Sequence, residues 1–111
     1  MNIIEINGVK AVVSFDKDIE LFRGEFVGIN GGADFYADNV KDLYKEGEIS
    51  LNEFLEMCKE DNVKPFVSYS GKFNLRIDEQ LHKEIVTQAK ANNQSLNAWV
   101  TKVVKNAIHN A

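Results

Sequence analysis
Cysteine, histidine, proline and tryptophan are all scarce in this chain. One cysteine, Cys58, excludes an internal disulfide and a cluster of thiolate metal ligands. A reducing cytoplasm is the simplest home for such a chain. Two histidines leave little for metal or general-base chemistry. His82 lies beside an apolar helical stripe and reads as a packing or boundary residue, and His109 sits near a terminus that should fray. No apolar run reaches membrane length, and Glu5 and Lys10 interrupt the opening segment, so neither a membrane span nor a signal peptide is expected. Basic charge is also in deficit, with 13 Lys and Arg against 17 Asp and Glu, for a net charge of −4.

The 111 residues suffice for one ordinary domain or two very small ones. A hydrophobic content of 44% and a charged content of 27% are those of a folded chain, not a disordered one. The charge is unevenly spread. Before Ser70 there are 14 acids and 7 bases, a net of −7; from Ser70 onward there are 3 acids and 6 bases, a net of +3. A basic C-terminal piece on an acidic N-terminal piece suggests two kinds of partner, a polyanion for one and a basic protein for the other. An acidic excess that merely keeps the protein soluble is the plainer reading.

The N-terminal piece reads as short strands around one helix. Ile3, Ile4 and Ile6 begin an apolar segment, and Asn7-Gly8 is a turn or a bulge. Residues 9–15 and 21–29 read as a strand pair across the polar turn 16–20, with Gly24 a bulge or a close-approach site. Asn30-Gly31-Gly32 is a break, and 34–37 a short third strand. Val40, Leu43, Tyr44, Leu51, Phe54, Leu55 and Cys58 then recur at helical spacing, capped by Asp38 or Asn39. Gly47 falls on that stripe, which implies either a close helix–sheet contact or a break between two helices. Asp61-Asn62 ends the helix, and Pro65 leads into a fourth strand over 66–69. The expected order is β-β-β-α-β, an α+β arrangement with one helix on one sheet face.

Catalytic constellations are thin. Asp16, Asp18 and Glu20 are the densest carboxylates but lie in a turn, and Asp34 and Asp38 only flank a strand. Two-metal hydrolysis needs carboxylates that converge. Gly28, Gly31 and Gly32 lack the strand–loop–helix setting of a nucleotide fingerprint. No enzyme activity, metal or other cofactor is expected.

The C-terminal piece opens on a strictly alternating segment, KFNLRI, residues 72–77. Phe73, Leu75 and Ile77 share one face; Lys72, Asn74 and Arg76 share the other. Arginine and lysine pair with guanine edges in the major groove, and asparagine with adenine. Two helical stretches follow, one started by Asp78 and one by Ser95, with Asn92-Asn93-Gln94 between them. No second strand follows to pair with the first. A second copy of the segment, antiparallel about a two-fold axis, would complete the backbone hydrogen bonds. About forty residues rarely fold alone, and Phe73, Leu75, Ile77, Leu81, Ile85, Trp99, Val100 and Val103 supply a core that two copies would share.

With Phe73–Arg76 (FNLR), the helix start at Asp78 and Asn92–Val100 (NNQSLNAWV), residues 72–108 resemble a ribbon-helix-helix DNA-binding domain of the Arc and MetJ kind. The whole chain resembles the HicB antitoxin family, in which a partial ribonuclease-H-like domain precedes such a module. The junction 64–72, where Pro65-Phe66 leads to Ser70-Gly71-Lys72, is similar to the junction in that family. The resemblance implies a toxin-binding domain over 1–69 and a DNA-binding, dimerising domain over 70–111. It implies base contacts from Lys72, Asn74 and Arg76. Phosphate contacts would come from Ser95, the Leu96 N–H and Asn97. The implied partners are a HicA-like mRNA-cleaving toxin, double-stranded operator DNA and a second copy of the chain, with or without further assembly of dimers. The implied function is neutralisation of the toxin and repression of its own operon. A solitary ribbon-helix-helix repressor without a toxin is the alternative.

Overall fold
A computed structural model describes residues 2–110. Two compact units divide the chain at Ser70, one over Met1–Ser70 and one over Gly71–Ala111.

The first unit is an antiparallel meander of four strands with one helix. β1 (Asn2–Ile6) and β2 (Val9–Asp16) join through Asn7-Gly8, both at positive φ (49° and 83°), so that Ile6 pairs directly with Val9. Asparagine followed by glycine is the pair that tolerates a two-residue turn of this hand. The loop from β2 to β3 (Leu21–Phe26) closes with Glu20 at φ 54°, while the Asp16 carboxylate accepts the Asp18 N–H at 3.0 Å. β4 (Asp34–Ala37) completes the order β1-β2-β3-β4.

Two expectations are corrected here. The opening isoleucines form a full strand, so the order is β-β-β-β-α and not β-β-β-α-β. The expected strand over 66–69 is a single bridge between Ile29 and Phe66. Its would-be partner explains why. β3 stops at Phe26 instead of reaching Ile29, because Gly28 turns to φ 82° and takes the backbone out of strand geometry. Hydrogen bonds from Val67 N–H to the Gly28 carbonyl and from Asn30 N–H to the Pro65 carbonyl flank the bridge. The Asn30 side-chain amide donates to the carbonyls of Lys64 and Phe66, which holds the segment without a ladder.

α1 (Val40–Glu60) is one unbroken helix, with Asn39 as its cap accepting from the Asp42 N–H at 2.9 Å. Leu43, Gly47, Leu51, Phe54 and Cys58 are its buried stripe. Gly47 is the close contact: a Cβ there would collide with Ile6 Cδ1 and the Phe35 ring. Gly24, opposite Phe35 in the sheet, is the second such site, since a Cβ there would also meet that ring. Phe35 is thus clasped between a strand glycine and a helix glycine, with Phe26 against it at a ring-centroid distance of 4.9 Å. These contacts centre the core on the α1 face of the sheet.

The second unit is two helices after a segment that belongs to no strand. Residues 72–77 carry no strand pairing among the described residues. α2 (Glu79–Ala91) is capped by Asp78, which accepts from Leu81 N–H at 2.8 Å; α3 (Leu96–His109) is capped by Ser95, which accepts from Ala98 N–H at 3.1 Å. α1 and α2 stop in the same way. Asn62 and Asn93 both sit at φ 54°, and the next residue, Val63 or Gln94, donates back to the carbonyl of Cys58 or Ala89. That pattern satisfies the orphan carbonyls of a helix end, and asparagine here takes the place usual for glycine.

Candidate nucleic-acid and partner interface
The residues expected to meet DNA lie on the second unit. Lys72, Asn74 and Arg76 are exposed, on a segment whose apolar members are exposed too: Phe73 by 84% and Leu75 by 64%, with only Ile77 half-buried. A solvated strand normally hides one of its two faces. Here neither face is hidden beyond the partial cover of Ile77.

The structure brings part of the expected set together. Lys72, Phe73, Asn74 and Leu75 line one groove with Asn97, Val100, Thr101 and Val104 of α3. Arg76 is not among the lining residues of that groove. Its lining mixes the apolar Phe73, Leu75, Val100 and Val104 with the polar Lys72, Asn74, Asn97 and Thr101.

Ser95 and Asn97 lie at the start of α3 as expected. The Ser95 hydroxyl accepts one helix N–H, the ordinary work of a cap. Its own proton is available to a second acceptor. Around this start is a shallow surface that also includes Thr101, Lys102, Lys105 and Asn106. The two lysines were counted in the basic balance but not assigned to the site. The signal was present in the spacing, because Asn97, Thr101 and Lys105 are four residues apart and so share one helix side. A phosphate at the α3 start would meet helix N–H groups, while Lys102 and Lys105 lie further along the same surface.

The residues expected to form a shared core are only partly covered. Ile85, Trp99 and Val100 are half-buried; Leu81 and Val103 are exposed. Ala89 alone in this unit is buried.

The carboxylates of the first unit do not converge. Asp16 serves its turn, and Asp34 is held by Arg23. Among the described residues no group of three or more His, Cys, Asp or Glu side chains could hold a metal ion. Cys58 is a free, buried thiol on the inner side of α1. His82 is exposed on α2, at the boundary of the apolar stripe and not packed within it. No described helix is long and apolar enough to cross a membrane.

A family model matches residues 54–104, from the last turns of α1 through most of α3. The chain is similar there to the HicB family. The match covers a little under half of the chain and takes in both the junction and the exposed 72–77 segment. No curated protein and no solved structure matches the chain.

Proposed function
We propose that this chain is a dimeric HicB-like antitoxin that acts by binding, not by catalysis. The second unit pairs with its copy through residues 72–77 to form a two-stranded ribbon. That ribbon enters the major groove of operator DNA with Lys72, Asn74 and Arg76 toward the bases. The α3 start, with Ser95, the Leu96 N–H, Asn97 and the neighbouring Lys102 and Lys105, holds the flanking phosphates. The first unit binds and masks a basic, HicA-like ribonuclease toxin, and the protein represses its own operon in the cytoplasm.

One observation carries the reading. Residues 72–77 alternate apolar and polar, belong to no strand, and expose Phe73 and Leu75, while two short amphipathic helices follow them with little buried between them. A strand-patterned segment that joins no sheet calls for a mate, and a second copy supplies one by symmetry.

The test uses the full chain, a duplex from upstream of its own gene, and the small protein encoded beside it. Both should bind, and duplex affinity should fall steeply between about 50 and 200 mM salt. Duplex binding that ignores salt would contradict the phosphate clamp. Duplex binding without any interaction with the neighbouring protein would favour a solitary repressor.

A further inference from the structure
The four-stranded sheet has two faces, and α1 covers only one of them. Register places Ile3, Val12, Glu25 and Asp34 in one row across the uncovered face, and Ser14, Arg23 and Tyr36 in the next. A one-sided antiparallel sheet normally turns a polar face to water. This one turns apolar side chains there as well. Ile3 is 69% exposed, its register partner Val12 is half-buried, and Tyr36 is 41% exposed at the opposite edge.

The charge on this face is arranged, not scattered. Arg23 Nη1 lies 2.9 Å from Glu25 Oε1 and Nη2 lies 2.5 Å from Asp34 Oδ2. One guanidinium therefore holds two carboxylates in place. The hydrogen bond that Arg23 donates to the Asp34 carboxylate raises the Arg23 pKa, burial opposes it, and Glu25 adds to it, so the cation persists at every ordinary pH. Two acids against one base leave the cluster negative, on a unit that carries −7 before Ser70. Such a surface repels a phosphate backbone and attracts ammonium and guanidinium groups. Fixed carboxylates beside an aromatic ring and exposed aliphatic groups match an interface core whose anchors are Arg, Lys and apolar side chains.

We propose that the uncovered sheet face, with Ile3, Val12, Tyr36 and the Glu25–Arg23–Asp34 cluster, is the docking surface for a cationic protein. The identity of that partner as a toxin rests on the function proposed above. The outward side of α1 is the competing surface, since it also carries exposed acids, Glu53 and Glu56 among them. α1 also exposes Val40, Tyr44, Ile49 and Met57, so apolar exposure alone does not choose between the two surfaces; the carboxylates of Glu25 and Asp34, fixed by Arg23 beside Tyr36, set the sheet face apart.

The experiment measures binding of the full chain to the purified protein encoded beside its gene, by calorimetry. Four versions are compared: the parent, Glu25→Lys, Ile3→Lys and Glu56→Lys. Glu25→Lys and Glu56→Lys change charge equally on opposite sides of the unit. Ile3→Lys acts at the sheet edge, where its exposed side chain contributes least to the fold, so it remains informative if Glu25→Lys unfolds the unit. The sheet-face variants should each weaken binding by about tenfold or more, and Glu56→Lys by less than about twofold. Parent-like binding by folded Ile3→Lys, or a larger loss with Glu56→Lys, overturns the docking surface and leaves the antitoxin reading standing. Failure of the parent to bind overturns both.

Discussion
The two units of this chain solve the same problem with different success. In the first, eleven apolar residues are buried among those described, and Leu51 is left only 1% exposed. In the second, Ala89 is the one buried residue described, and Trp99 is only half-covered. The helices are equally well made in both, with side-chain caps at their starts and asparagine-based stops for α1 and α2. The difference is in what they pack against. α1 has a sheet to cover, whereas α2 and α3 have each other and a segment that joins no sheet. Local structure can be complete while a core is not, and under the function proposed above a second copy supplies the rest.

Paired substitutions should break this comparison most sharply. Trp99→Ala should cost about 3–5 kcal/mol of dimer stability, seen as a loss that depends on protein concentration in sedimentation and thermal melts. Leu51→Ala should cost about 2–5 kcal/mol in the first unit, and its melting shift should not depend on concentration. A concentration-independent loss for Trp99→Ala would show that the second unit finishes its own core. Arg76→Ala should touch neither core. It should reduce operator affinity by about 1–3 kcal/mol and relax specificity at one base, while melting like the parent; unchanged operator binding would remove Arg76 from the readout. Gly47→Ala sharpens the first unit alone. Alanine gains about 1 kcal/mol of helix propensity. The collision with Ile6 and Phe35 should outweigh it and leave a net loss of roughly 1–2 kcal/mol in chemical denaturation. A stabilised variant would mean that the helix lifts off the sheet at little cost.

Much of this was legible in the chain, for reasons that differ by element. The α1 stripe, the Asn39 cap and the asparagine stops are local signals, and local signals carry over into structure. β1 is hard to read from sequence because Ile3, Ile4 and Ile6 do not alternate cleanly, and Asn7-Gly8 alone does not distinguish a bulge from the hairpin that pairs them with β2. Phe66-Val67 has the composition of a strand without forming one. Whether it pairs depends on Gly28, thirty-eight residues earlier, turning its partner away. The Arg23 clamp on Glu25 and Asp34 joins two strands and was invisible without register. Lys102 and Lys105 were readable but unassigned, because their relevance comes from sharing a surface with Ser95.

Amide hydrogen exchange across residues 72–77 of the full chain, followed over a dilution series, addresses the shared ribbon directly. At high concentration the amides that bond to a mate should be slow to exchange, in an every-other-residue pattern, and their protection should vanish as dimers dissociate. Fast exchange throughout the segment at every concentration, in a chain that otherwise stays folded, would contradict the account.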